Sequence, residues 1–497
     1  MRRRDLLIGT GAAALARAQS KAPALVASDA SRPKADWGAQ VGDVVPGRAM
    51  IWSRTDRPAR MLVEYSTNER FENAVPIVGP HALDVTDYTS RIDLTGLPAD
   101  QQIFYRVTFR NLADGRTLSA PVTGRFRTAP GGRRNVRVLW SGDTVGQGYG
   151  INPDFGGMKI YEAMRRRAAD FFIHSGDTIY ADGPIMAELK QPDGNIWRNI
   201  VTEAKSKPAE TLPEFRGNYL YNLLDENVRR FNQDTPQVWQ WDDHEVSNNW
   251  SESKDLTKLK QYTEKSLPLL VARASRAFLE YAPLRYSDAE SERIYRKIPY
   301  GPLLDVFVID TRSYRGPNTL NLQKDQGSET VFLGRPQLQW LLAGLKSSSA
   351  LWKVIASDMP IGLVVPDGRD AEGRILHEGF ANGDGPAAGR ELEIAELLRA
   401  MRGAKVRNTV WVTADVHYTA AHRYEPGRAR FTEFDAFWEF VSGPLNAGTF
   451  GPNALDNTFG PAVVFQKHAP KDGVGAGPAA GLQFFGEIEI DGRSGEM

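Results

Sequence analysis

Apolar positions along this chain fall into two kinds of run. Between residues 36 and 128 they are short and partly alternating: Ala49-Met-Ile-Trp52, Ala59-Arg-Met-Leu-Val-Glu-Tyr65, Ser90-Arg-Ile-Asp-Leu94 and Ile103-Phe-Tyr-Arg-Val-Thr-Phe109. Turn residues separate them at Val45-Pro-Gly47, Gly96-Leu-Pro98 and Ala113-Asp-Gly115. Short β-rich runs broken in this way predict an all-β sandwich domain. Thr128-Ala-Pro-Gly-Gly-Arg-Arg-Asn135 reads as a linker. Beyond it the runs become apolar almost throughout: Val136-Arg-Val-Leu-Trp140, Asp170-Phe-Phe-Ile-His174, Gln237-Val-Trp-Gln-Trp241, Leu304-Asp-Val-Phe-Val-Ile309, Leu351-Trp-Lys-Val-Ile-Ala356 and Val410-Trp-Val-Thr413. Such strands are covered on both faces. Helical patterns lie between them, over 157–164, 334–345 (with Pro336 placed for a first turn) and 389–401. The alternation predicts a layered α/β domain over 136–497. Residues 181–235 and 311–332 show no clear period and are expected to be loops or insertions.

Polar groups that carry chemistry gather where these runs end. They lie in Ser141-Gly-Asp-Thr144, His174-Ser-Gly-Asp-Thr-Ile-Tyr180, Trp241-Asp-Asp-His-Glu245 and Ala414-Asp-Val-His417. In open α/β sheets, ligand-binding groups collect beyond the carboxyl ends of the strands. Gly176 allows close backbone approach, and Asp177 offers two oxygens that can bridge two cations. Tyr180 falls three residues later, and a phenolate ligand demands a strongly acidic metal such as ferric iron. The cluster around Asp243 holds three carboxylates and an imidazole within four positions. There Asp243 is the expected ligand and His244 the proton donor or phosphate-oxygen stabiliser, with Asn248 and Asn249 offering amide oxygens. Asp415 and His417 project to one side if the chain stays extended, and Asp143 completes the set. His174 lies within an apolar run and reads as a core residue.

Composition narrows the chemistry further. The 497 residues include 61 Lys+Arg, 61 Asp+Glu and no cysteine. The balanced charge offers no sign of nucleic-acid binding and leaves a small substrate as the default. Without thiols, any metal is held by carboxylate, imidazole, amide or phenolate. At the start of the chain, Arg2-Arg3-Arg4 leads into a Gly/Ala-rich, weakly apolar stretch ending in Ala16-Arg17-Ala18. This resembles a twin-arginine export signal over residues 1–22, which implies the export machinery as a partner and a periplasmic or secreted location.

In order and spacing, the four segments resemble the calcineurin-like metallophosphoesterases and, among them, the PhoD-like alkaline phosphatase family. Gly176-Asp-Thr-Ile-Tyr180, Trp241-Asp-Asp-His-Glu-Val-Ser-Asn-Asn249, Asp310-Thr-Arg312 and Ala414-Asp-Val-His417 carry the resemblance. It implies a metallophosphoesterase α/β sandwich preceded by an immunoglobulin- or fibronectin-like β-sandwich. It further implies hydrolysis of phosphate esters by a metal-activated hydroxide. Carried over position by position, Asp177 bridges the metals, Tyr180 binds ferric iron, and Asp243 with Asn248 binds the second metal. Asp415 and His417 complete the site, and Arg312 is a candidate to hold a phosphate oxygen. The family pairs iron with calcium. Its members often carry a cysteine iron ligand after the first α/β strand; here Asp143 is the substitute, which leaves Zn2+ or Mn2+ open as alternatives. Ser357-Asp358-Met-Pro360 stands where a His-x-Pro element is usual, so Asp358 is a further candidate. Two other readings remain: a phospholipase D-like phosphodiesterase on the same scaffold, and a surface-binding protein with a vestigial metal site.

Overall fold

The alternation inside each strand of the α/β region shows how the layers stack. In a computed structural model describing residues 29–497, Val138 and Trp140 of strand Val136–Ser141 face a core between two sheets, while Leu139 faces helices on the other side. Phe171 and Ile173 point inward and Phe172 outward along Phe171–Ser175; Val238 and Trp239 divide likewise on Gln237–Gln240. In the facing sheet, Val306, Val354 and Val412 point inward, whereas Phe307, Ile355 and Trp411 meet the outer helices. Each such side chain contributes about 1.5–3 kcal/mol on leaving water. The result is four layers, helix on sheet on sheet on helix.

Among the described residues each large sheet has seven strands. One runs in the order Gly486–Ile490, Val136–Ser141, Phe171–Ser175, Gln237–Gln240, Ala39–Val45, Arg48–Arg54, Thr89–Thr95. The other runs Arg296–Tyr300, Leu304–Val308, Trp352–Ala356, Thr409–Thr413, Phe437–Val441, Thr419–Tyr424, Pro461–Lys467. The central strands of both are parallel. Helices Lys159–Arg165, Arg335–Ser347 and Glu391–Gly403 occur where the sequence pattern placed them.

Two features were not foreseen. The N-terminal β region does supply two sheets, but only the four-stranded one (75–82, 59–66, 102–111, 122–127) belongs to it alone. Its other sheet continues into that of the α/β region, because Ala39–Val45 pairs in parallel with Gln237–Gln240. Tyr105 reinforces the join: its buried hydroxyl donates to the Gln233 carbonyl at 3.0 Å. The second concerns 181–235, expected as loops or insertions, which contains helices Leu212–Asn222 and Glu226–Asp234. The first is opened by a capping box between Thr211 and Glu214. It buries Phe215, Asn218, Tyr219 and Tyr221, a mixture of aromatic and polar groups that hides its period from a count of apolar residues. The export signal expected over 1–22 lies outside the described residues. Among those described, no helix is long and apolar enough to cross a membrane.

Candidate active site

The parallel strands of both sheets deliver their carboxyl ends to one edge, and the loops leaving them turn sharply. Asp143, Asp177, Asp415 and His417 all adopt left-handed backbone conformations, with φ of 68°, 51°, 65° and 55°. Non-glycine residues rarely hold that conformation, and it concentrates at functional sites. Gly176, at φ 91°, makes the turn before Asp177; a Cβ there would stand 2.5 Å from the Cβ of Asp242 on the neighbouring loop. The loops interlock through backbone bonds, Thr144 N–H to Asp177 O at 2.9 Å and Asn446 N–H to Asp143 O at 3.0 Å.

These turns aim the side chains at one buried point. Ligand atoms of Asp143, Asp177 and His417 lie within 4.8 Å of one another, and so do those of Asp177, Asp243 and His244. Asp177 belongs to both groups. Tyr180 is buried beside them; its hydroxyl donates to His417 Nε2 at 2.8 Å and its ring lies 4.1 Å from that of His244. His417 Nδ1–H donates to the Gly448 carbonyl, which fixes the tautomer and leaves the Nε2 lone pair facing the cluster. The Phe450 ring stacks on His417 at 4.5 Å. Asp182, which sequence reasoning passed over, accepts the Nδ1–H of His244 at 2.7 Å and the Asn248 N–H at 2.7 Å. Only the tertiary fold identifies it, because a lone Asp two positions after Tyr180 carries no pattern of its own. Glu245 ties the two loops together, accepting from Thr178 N–H and Oγ–H at 2.6 Å and from Asp242 N–H at 2.9 Å.

Burial pushes the carboxyls of Asp143 and Asp177 well above the usual range, reinforced by the nearby charge of Asp243 and relieved in part by His244. Burial acts on Asp243 in the same direction, but His244 and Arg312 overcome it and bring that carboxyl to about 2. His244 is the converse case. Burial opposes its charge, yet Asp182, Asp243 and Asp177 raise it well above the ordinary imidazole value. For Tyr180, burial and the charges of Asp177 and Asp143 hold the phenol protonated.

Both carboxylate oxygens of Asp143 and Oδ1 of Asp243 are buried without a hydrogen-bond partner. Native proteins seldom leave such atoms unmet. Hard oxygen donors, a carboxylate common to both groups and a tautomer-fixed imidazole together suit metal cations, so the residues fit the metal that the sequence pattern implied.

The remaining expected residues are placed as follows. Asp415 is partly exposed and lies outside both groups, though its charge is felt by Asp242 and its own carboxyl is raised by burial, then by Glu378 and Asp243. Asn248 is exposed at the rim, where its N–H binds Asp182. Asn249 instead caps Asp243, its N–H donating to Oδ2. Arg312 departs most from expectation: its side chain is fully buried and enclosed by Asp242, Asp358 and Glu378, which leaves it no exposed surface for a phosphate oxygen. Asp358 is spent in that same network. His174 is a core residue; its Nε2 meets Thr144 Oγ1 at 3.1 Å and burial lowers it to about 3.

Comparisons with known proteins agree with this geometry. The family described as PhoD-like phosphatase matches residues 139–497, and its N-terminal domain matches 18–130. Alkaline phosphatase D of Bacillus subtilis (strain 168) is 25% identical over 441 residues, covering 85% of this chain and 71% of the relative. The solved structure of PhoD aligns with a TM-score of 0.65 at 22% identity, over 83% of this chain and 78% of that one. A purple acid phosphatase from yellow lupin (Lupinus luteus) seeds aligns with a TM-score of 0.53 at 13% identity, over 94% and 73%; at these identities the two structures speak for the fold alone. Because the match to the catalytic family spans most of the sequence and the metal-binding groups stand together at the sheet edge, the chain belongs to the PhoD-like phosphatase family and is a metal-dependent phosphoric ester hydrolase.

Proposed function

We propose that Asp177 is shared by two cations, one held with Asp143, His417 and Tyr180 and the other with Asp243, and that Asp415 completes the second from the rim. The observation that carries this reading is the membership of Asp177 in both groups of ligand atoms. Bound there, the cations supply the Lewis acidity that polarises a phosphate ester and activates the attacking water. The protein's own part is to hold the charges. His244, anchored at Nδ1 by Asp182, directs Nε2 toward the same point as the proton donor to the leaving oxygen. With a side chain 15% exposed, His244 marks the side from which substrate arrives.

The metal pair proposed is Fe3+ with Ca2+. Tyr180 supports it, because a phenol with an ordinary pKa of about 10 becomes a phenolate ligand only beside a strongly acidic cation; Asp143, a hard oxygen in place of a thiolate, keeps Zn2+ or Mn2+ as the alternative. Residues 1–22 are proposed to direct twin-arginine export, on the strength of the paired arginines and the weakly apolar stretch after them. The substrate is a small phosphate ester.

Elemental analysis and turnover of Asp177→Asn test the central assignment. Loss of both ions and of hydrolysis of a chromogenic phosphomonoester is the expected outcome. Full metal content with normal turnover in that variant would remove the bridging role.

A further inference from the structure

Arg312 is the one side chain that sequence reading placed against substrate and the fold placed in the interior. Its Nε–H donates to Asp242 Oδ1 at 2.6 Å, with Nη2 on the same oxygen. Nε also lies 3.4 Å from Asp358 Oδ2, and Nη1 meets Glu378 Oε1. Each of the first two contacts leads to a metal-ligand loop. Asp242 immediately precedes Asp243. The Asp358 carbonyl accepts the Ala414 N–H at 2.8 Å, one residue before Asp415. Asp242 N–H donates to Glu245, whose other oxygen binds Thr178, the residue after Asp177. One buried guanidinium is therefore connected to within a residue of three of the ligand carboxylates, which come from three separate loops and both sheets.

Glu378, on the far side, is held in turn by Arg315 Nη1 at 3.6 Å, and its carbonyl accepts from Arg315 and Arg390. Both of those arginines lie over the Phe332 ring, at 4.5 and 5.0 Å. The guanidinium of Arg312 is thus fixed from behind and holds the loops in front. A planar fork with five donors suits this task, whereas an ammonium satisfies fewer directions at once.

We infer that Arg312 is a positioning residue for the metal site: it sets the separation of Asp243 and Asp415 from Asp177, and through them the affinity of the cation on the Asp243 side. This rests on the two-cation reading above. Removing groups that orient metal ligands costs roughly 10–100-fold in metal affinity. The test is calorimetric titration of the metal-stripped full chain with Mn2+, comparing the natural protein with Arg312→Lys and Arg312→Met, alongside circular dichroism. The natural protein should take up two ions; a single ion would defeat the two-cation reading itself. In Arg312→Lys the fold should persist while one ion binds about 10-fold or more weakly and the other, held by Asp143, Asp177 and His417, is unchanged. Arg312→Met should show the same selective loss in greater degree. Two ions bound with natural affinity by Arg312→Lys would overturn the inference, as would equal weakening of both ions. If Arg312→Lys fails to fold, Asp358→Asn takes its place, since it weakens the pairing of Arg312 with Asp358 while keeping the Asp358 carbonyl bond to Ala414 and an oxygen for Thr311; unchanged Mn2+ affinities there would overturn the inference.

Discussion

Gly176→Ala is the substitution whose effect follows most directly from the coordinates. It alters no ligand, yet the added Cβ would stand 2.5 Å from Asp242 Cβ, 3.0 Å from Asp242 N and 3.2 Å from the Trp241 carbonyl carbon. Carbon atoms in contact prefer about 3.5–4.0 Å, so the loop after Phe171–Ser175 must part from the loop after Gln237–Gln240 by roughly 1 Å. No flexible side-chain end is available to yield, because the atoms met are backbone and Cβ. The left-handed φ adds about 1–2 kcal/mol for a residue with a Cβ, and overpacking a tight interior adds about 1–3 kcal/mol. A loss of about 2–5 kcal/mol in unfolding free energy is expected, read as a fall in the urea midpoint by far-ultraviolet circular dichroism. The functional consequence is separate and sharper. The widened gap lies between Asp177 and Asp243, which share a cation in the proposed arrangement, and metal–ligand distances tolerate only about 0.2 Å. Elemental analysis should find the Asp243-side ion depleted. An unchanged urea midpoint together with full metal content would refute the argument that glycine is required for this approach of the two loops.

Tyr180→Phe should abolish the visible absorption of a ferric protein while leaving the fold intact; a natural protein that is active, colourless and iron-free would exclude phenolate-bound iron. His174 gives a pH prediction. Its imidazole titrates near 6.5 in the unfolded chain and is lowered by burial to about 3 in the fold. The folded state therefore binds fewer protons, and the stability that this neutral group carries is intact above pH 6.5 and lost as pH falls toward 3, on the order of 5 kcal/mol at the limit. Urea midpoints of His174→Gln between pH 4 and 7 should fall less steeply with acid than those of the natural protein; parallel slopes would contradict the assignment.

The layered fold was legible where strands are buried on both faces. Val136–Ser141, Phe171–Ser175 and Leu304–Val308 read as apolar runs because neither face meets water. Strands on the flanks were missed. Thr419–Tyr424 and Pro461–Lys467 lie toward a sheet edge and keep exposed or polar positions, such as Arg423 and Val464, so their membership depends on partners far away in sequence. Helix Leu212–Asn222 was hidden for a related reason, since it buries tyrosines and an asparagine instead of an aliphatic stripe.

By itself the sequence marked out the residue types suited to holding a metal and handling a proton. Short motifs at strand ends need only local backbone to present Asp143, Asp177, Asp243, His244 and His417 beyond the sheet. It could not decide what those groups face. Asp182 is an unremarked aspartate until the loops fold and His244 Nδ1 meets it. Arg312 reads as a phosphate contact from its motif, and becomes an interior tie only when three acidic side chains from separate segments close around it. The environment of a charge is set by every element packed against it, and that sum of long-range contacts exists only in the folded structure.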